Sequence, residues 1–232
     1  MKRRWTRYGA ILLAVLLLAA CGSGEDAVSA GGGAEIPDPA AQGTEYPPEA
    51  KYIALTFDDG PGPYTERLLD GLKERGVKAS FFLIGRSVKE YPEAVKRMEE
   101  EGHLIGNHTY SHVKLKGLSP EETRREIQKT DEAVYEITGK HVAYLRPPFG
   151  EWEEDLELTY PVLPVMWTVD PLDWTTENVE EIVDRVVTQA GENDMILLHD
   201  CYDSSVEAAL QIVDRLLAEG FDFVRVDELL IP

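Results

Sequence analysis

KYIALTFDDGPGPYTERLLDGLKERGVKASFFLIG, residues 51–85, is the stretch whose reading decides the fold class. Tyr52 to Phe57 is a short apolar run that reads as a strand, Tyr64 to Arg75 carries helical periodicity and stops at Gly76, and Lys78 to Ile84 reads as a second strand. A helix between two strands is the crossover that parallel pairing needs. The alternation continues downstream. A helix is predicted from about Ser87 to Glu101, a short strand over His103 to Gly106, and a helix opened by the capping pair Ser119 and Glu122, with Pro120 in its first turn, running to about Thr138 before Gly139. Val142 to Leu145 and Val162 to Trp167 read as strands, Val179 to Ala190 as a helix, and Met195 to Leu198 as a buried strand. Val206 to Ala218 is a helix closed by Gly220, and Phe221 to Val226 is the last strand. Six or seven strands alternating with helices predict an α/β fold, a distorted (β/α) barrel with about seven strands rather than a sandwich.

Outward from this core towards the N-terminus the composition changes. Lys2, Arg3, Arg4 and Arg7 precede an apolar stretch from Gly9 to Ala20 that is shorter than the roughly 20 residues of a membrane span. Ala19, Ala20 and Cys21, followed by Gly22 and Ser23, resemble a bacterial lipobox, which implies cleavage before Cys21 and lipid on its thiol; an ordinary secretion signal with an incidental cysteine is the alternative. Residues 22–48 are rich in Gly, Ala, Ser, Pro and acid. The expected organisation is a lipoprotein signal peptide over 1–20, a flexible tether over 21–50 and a catalytic domain over 51–232, on the outer face of the cytoplasmic membrane. With Cys21 lipidated, Cys201 is left without a disulfide partner and reads as a small buried residue rather than a nucleophile.

The 232 residues carry a formal charge of −20, and loss of the leader's four cations makes it about −24. So acidic a chain is a poor partner for nucleic acid. Glu99 to Glu101 and the acidic group Glu151, Glu153, Glu154 and Asp155 read as solvated surface. No Gly-rich phosphate loop follows the first strand, which argues against nucleotide binding.

Chemistry-bearing residues fall at the C-terminal ends of the predicted strands, which converge on one face of a parallel barrel. Thr56 to Pro61 contains Asp58 and Asp59. Taken alone, Asp-Asp-Gly-Pro is also a good turn, but adjacent carboxylates at a strand end repel each other unless a cation or basic partner is present. His108 and His112 have the i, i+4 spacing that lets two imidazoles on one helical turn grip a metal, although that spacing also arises by accident. With Asp59 they make a ligand set that leaves coordination positions open for water and substrate. Arg146 precedes Pro147 and Pro148, which restrict the backbone that would aim its guanidinium at a carboxylate. Asp170 and Asp173 follow the fifth strand, and His199 ends the sixth. A histidine in that position is commonly a satisfied core residue, but an aspartate in range would raise its pKa and fit it for proton donation.

TFDDGP, HTYSH, RPPFG, DPLDW and LLH, in this order over about residues 51–230, resemble the motifs of the polysaccharide deacetylase family, the carbohydrate esterases of family 4 with a nodulation-protein-B homology domain. The resemblance implies hydrolysis of a carbon–nitrogen, non-peptide bond in an N-acetylated polysaccharide, with peptidoglycan N-acetylglucosamine expected first and chitin-type oligosaccharide second. It implies a divalent ion on Asp59, His108 and His112, zinc first, with cobalt, nickel or manganese as alternatives. Asp58 is implied as the base that draws a proton from the attacking water, held by Arg146, and His199, tuned by Asp173, as the acid that protonates the leaving amine. The Phe149 backbone N–H is implied at the oxyanion, Trp174 and Leu197 at the acetyl wall, and Tyr110 among the substrate contacts. Family members often carry tyrosine where Phe149 stands. The same residues would serve an O-acetyl esterase acting on xylan, and a wall-binding protein without activity could share the scaffold. His103 and His141 fall outside every motif and are read as having no catalytic part.

Overall fold

The computed structural model describes residues 50–151 and 162–230. The chain divides into a unit of residues 1–45 and a unit of residues 46–232. The expected signal peptide, Cys21, and the tether except for its last residue lie outside the described residues, as do Glu153, Glu154 and Asp155. No helix among the described residues is long and apolar enough to cross a membrane.

In chain order the elements are β1 (Lys51–Asp58), α1 (Thr65–Glu74), β2 (Ser80–Leu83), α2 (Gly85–Glu90), α3 (Pro92–Glu100), β3 (Leu104–Asn107), α4 (Pro120–Thr138), β4 (Tyr144–Leu145), β5 (Leu163–Pro164), α5 (Val179–Val187), β6 (Met195–His199), α6 (Asp203–Ala218), β7 (Phe221–Val224) and α7 (Val226–Leu230). Every strand pair is parallel, in the order β5-β4-β3-β2-β1-β6, with β7 also on β1. The sheet curls into an incomplete barrel flanked by helices. β1 is its axis and is buried from Ile53 to Asp58, which explains its nearly unbroken apolar run. Its residues 54–58 align with 195–199 of β6, so that Asp58 stands opposite His199.

The main core joins Phe57, Phe81, Leu83 and Leu198 from the sheet to Leu68 and Leu72 of α1, Ile182 and Val186 of α5 and Ile212 of α6. Each such fully buried side chain contributes about 1.5–3 kcal/mol. α1 and α6 touch at Gly71, where a Cβ would come within 2.4 Å of Leu210 Cδ2 and push that side chain aside.

Four expected elements need correction. The helix predicted from Ser87 to Glu101 is two helices that meet at Tyr91, whose φ −128° and ψ 56° are not helical. Pro92 drives its predecessor out of the α region and then opens α3. The strand predicted over Val162 to Trp167 shrinks to two residues. Beyond Pro164 the backbone is drawn out of the ladder: Val165 N–H bonds Leu145 O at 2.8 Å, the carbonyls of Val165 and Met166 accept from Arg146, and Val169 makes a lone bridge to Ile196. This irregular stretch spans the gap between β4 and β6. Finally, α6 begins at Asp203 rather than Val206, and the last strand stops at Val224 to give way to α7. The capping box of α4 forms as its sequence dictates, with Ser119 and Glu122 bonded reciprocally and Gly139 left-handed at φ 71°.

Candidate active site

Parallel pairing points the C-terminal ends of all the strands the same way. Asp58 ends β1, His108 follows β3, Arg146 follows β4 and His199 ends β6. A cavity of about 430 Å³ opens there, lined by Asp58, Asp59, His108, His112, Phe149, Trp167, Asp170, Leu172, Trp174, Leu197, His199 and Tyr202. Among the described residues six non-glycine residues are left-handed, and four of them, Asp59, His112, Phe149 and Leu172, line it. Such conformations cost about 1–3 kcal/mol each and persist where the surroundings hold them.

Asp59, His108 and His112 each offer a ligand atom, all within 4.8 Å of one another. The histidines do not lie on a helical turn, which corrects the spacing argument. They belong to a loop in which Thr109 (φ 63°) and His112 (φ 57°) are left-handed, and the two reversals bring the rings to a centroid distance of 5.1 Å. Asn107 braces that loop: its Oδ1 accepts from Thr109 N–H at 2.9 Å, and its amide donates to Ile127 O of α4 at 2.9 Å. His108 Nδ1 lies 2.7 Å from Arg146 O. A carbonyl only accepts, so Nδ1 carries the proton and Nε2 keeps its lone pair, 3.4 Å from Asp59 Oδ1.

A divalent cation fits this donor set. Asp59 Oδ1 is buried without a hydrogen-bond partner, 3.2 Å from His112 Nε2. Burial works against the Asp59 charge, but the imidazoles of His108, His112 and His199 around it hold its carboxyl below the usual range. Burial pushes the His112 imidazole down, opposed by Asp59 and aided by His108. An ionised carboxylate and a neutral imidazole are the forms that bind metal.

Asp58 lies beside this set, with Oδ2 3.8 Å from His108 Nε2. Its Oδ1 accepts from Arg146 Nη1 at 2.9 Å. Arg146 is wholly buried: Nη1 also reaches Thr56 Oγ1, Nε and Nη2 donate to Val165 O and Met166 O, and the guanidinium stacks 4.1 Å from the Phe82 ring. Burial lowers its pKa against the pull of Asp58, and arginine remains charged nonetheless. Asp173 grips His199 with both oxygens, one on the backbone N–H and one on Nδ1, each at 2.8 Å. Burial opposes charge on that imidazole, but the Asp173 hydrogen bond and charge, with those of Asp58 and Asp59, push it up to about 9.

Trp174 and Leu197 line the cavity, the first 57% exposed and the second buried. Phe149 presents an exposed ring edge-on to His112 at 4.9 Å. Tyr110 does not join them. Its ring packs beside Gly85, near the Lys89 and Lys129 ammonium groups at 5.9 and 5.3 Å, because the left-handed Thr109 turns the chain before it. Asp170 accepts the Leu172 N–H at 2.9 Å. His103 and His141 lie outside the cavity.

The residue readings above omit Trp167 and Tyr202 from the cavity, and also Asp200 next to it. Asp200 is fully buried, accepts the Thr65 hydroxyl at 2.5 Å and occupies the space a Cβ at Gly60 would need, 2.2 Å from its Oδ1. Burial, with Asp59 nearby, pushes its carboxyl up to about 7. Its signal in the sequence is a second ionisable side chain at the end of a buried apolar strand. Tyr202 carries no comparable signal.

The polysaccharide deacetylase family model matches residues 45–162. The peptidoglycan-N-acetylmuramic acid deacetylase PdaC of Bacillus subtilis is 42% identical over 183 residues, covering 78% of this chain and 39% of that protein. Its solved structure superposes with a TM-score of 0.77 at 41% identity, covering 79% of this chain and 92% of the solved one. The chitooligosaccharide deacetylase of Rhizobium leguminosarum bv. trifolii is 36% identical, covering 73% of this chain and 87% of the relative. The chain thus spans about two fifths of the Bacillus protein and most of the Rhizobium one. On the matched model, on a relative 36% identical and covered over 87% of its length, and on a shared barrel, this chain belongs to the polysaccharide deacetylase family.

Proposed function

We propose that this protein is a metal-dependent hydrolase that removes N-acetyl groups from N-acetylated amino-sugar polymers. The observation that carries the reading is a single cavity holding three convergent ligand atoms, an acid fixed by a buried arginine, and an imidazole held charged by an aspartate. Peptidoglycan N-acetylglucosamine is the first substrate and chitin-type oligosaccharide the second; the relatives are named as deacetylases of peptidoglycan N-acetylmuramic acid, peptidoglycan N-acetylglucosamine and chitooligosaccharide. Zinc is the metal that two imidazoles and a carboxylate suit best. Placement outside the cytoplasm on a lipid anchor rests on residues 2–23 alone.

A divalent ion on Asp59, His108 and His112 supplies Lewis acidity towards water and towards the acetamide carbonyl. The chain's own groups do the rest. Arg146 pins one oxygen of Asp58, and the other is free to take the proton of the attacking water. His199 is charged at neutral pH; with Nδ1 committed to Asp173, its Nε2 proton is the one available to the departing amine. The left-handed turn at Phe149 sets the orientation of its N–H, the candidate oxyanion donor, while Trp174 and Leu197 enclose the acetyl methyl.

The test is acetate release from N-acetylglucosamine oligomers, peptidoglycan and acetylated xylan, before and after chelation and restoration with single metals. Release from N-acetylated substrates that is lost on chelation is expected. Asp58→Asn should keep its metal and lose about 10²–10⁴ in turnover, whereas Asp59→Ala, His108→Ala or His112→Ala should lose the metal itself. Activity on xylan alone would make the protein an O-acetyl esterase, and full metal content in the histidine variants would refute the site.

A further inference from the structure

Asp200 is a buried acid that the reaction above does not use. It follows His199 at the end of β6, is wholly covered, and keeps Oδ1 without a hydrogen-bond partner among the described residues. An unpaired polar oxygen in the interior costs stability, so its retention calls for a reason. The reason lies in what the carboxyl touches. Its Oδ2 accepts the Thr65 hydroxyl at 2.5 Å, and that hydroxyl in turn accepts the Gly62 N–H at 2.7 Å. Its two oxygens fill the space that a Cβ on Gly60 would need, and a Cβ on Gly62 would rest against Cys201. The segment after β1 therefore lies against the turn between β6 and α6 at both glycines.

That segment carries Asp59. β1 ends at Asp58, whose side chain Arg146 holds, so Asp59 is the first residue beyond the strand. Its φ of 71° is left-handed, and no hydrogen bond among the described residues fixes its Oδ1. The direction of its carboxylate is thus set by the backbone that follows it. The end of β2 holds Gly60 through the Ile84 N–H, which donates to Gly60 O at 2.9 Å, and Asp200 packs against the same residue. We propose that Asp200 is a positioning residue for the metal site: packed on Gly60 and tied through Thr65 to Gly62, it sets the turn that aims Asp59 at His108 and His112. The inference rests on the proposed ligand set and adds that affinity for the ion depends on a carboxyl that does not line the cavity.

The experiment measures the zinc dissociation constant by competition with a chromophoric chelator, beside thermal unfolding of each metal-free protein. Asp200→Ala should weaken zinc binding about tenfold, the lower end of what loss of a group behind a metal ligand costs. Asp200→Asn, which keeps the shape and can still accept the Thr65 hydroxyl, should restore the affinity to within about threefold of wild type. Thr65→Val, which removes the linking hydroxyl at nearly constant size, should weaken zinc binding as Asp200→Ala does, and Thr65→Ser should not. Asp131→Ala is the control for burial alone. That acid is equally covered but bonds His141 and the Val142 N–H away from the cavity, so its loss should lower Tm and leave zinc affinity unchanged. Wild-type zinc affinity in Asp200→Ala overturns the proposal whatever its Tm, and if that variant does not fold, wild-type affinity in Thr65→Val does so. If the wild-type protein binds no zinc, or binds it equally well in His108→Ala, the ligand set itself fails and this inference falls with it.

Discussion

His199, which is largely covered, and His103, which is buried, each sit beside a carboxylate, and they are driven in opposite directions. His199, at the mouth of β6, is pushed up to about 9, whereas His103, at the entry to β3, is pushed down to about 4. Burial disfavours charge on both. The difference lies in what each carboxylate is free to do. Asp173 spends both oxygens on His199 at 2.8 Å. Glu101 gives Oε1 to Arg97 at 2.7 Å and to Lys73 at 3.2 Å, and its Oε2 stops 3.9 Å short of His103 Nε2. His103 Nδ1, moreover, accepts the Ala79 N–H at 3.1 Å, a bond that protonation there would break. An acid nearby does not charge an imidazole; an acid with no other partner, in direct contact, does.

The sharpest way to break this contrast is Asp173→Asn. In the metal-free protein the His199 midpoint should fall from about 9 to its ordinary value or below, read by NMR titration, and turnover should drop about 10²–10⁴-fold with metal retained. A raised folded-state pKa stabilises the fold fully below the unfolded value near 6.5 and loses that contribution as pH rises through 9. Asp173→Asn should therefore abolish an alkaline loss of stability visible in the metal-free wild type. His103 has the opposite sign. Its depressed pKa costs nothing above pH 6.5, and stability on the order of 3 kcal/mol is lost as pH falls from 6.5 through 4, because the unfolded chain takes up a proton that the folded one refuses. His103→Gln should flatten that acid limb in urea unfolding at pH 7 and 4.5; an unchanged slope would assign it to other groups. The smallest effect is expected from Glu101→Gln. Since burial is the first cause of the His103 shift, its midpoint should remain near 4, with stability changed by about 1 kcal/mol through the loss of Arg97 and Lys73.

Much of this was legible in the residues. β1, β2 and β6 are apolar runs cut off by Gly, Pro or ionisable residues, and a strand buried on both faces has no other way to be written. The helix cap at Ser119 was equally plain. The break at Tyr91 was legible too, since Pro92 announces it. The irregular closure after Pro164 was not, because its hydrogen bonds go to an arginine side chain about twenty residues upstream rather than to a neighbouring strand. Sequence spacing brought Asp59, His108 and His112 to one point for a mistaken reason: a helical turn was inferred where two left-handed residues do the work. Tyr110, which the resemblance implied among the substrate contacts, lies outside the cavity, on the far side of the turn at Thr109. Asp200 escaped because its significance comes from Thr65 of α1 and from Gly60, brought against it from far along the chain, and Tyr202 because it meets the cavity only through the His199 ring.

Arg146 leaves one consequence to draw. Its guanidinium grips Asp58 beside the cluster of Asp59, His108 and His112, and it also supplies the donors that two carbonyls need where the sheet fails to close. Abandoning catalysis would release Asp58 from selection at once, yet the arginine would still be required to shut the wall behind it. A descendant that had given up turnover should therefore lose its acid long before its arginine, and such a half-preserved pair would mark a retired enzyme still wearing its working shape.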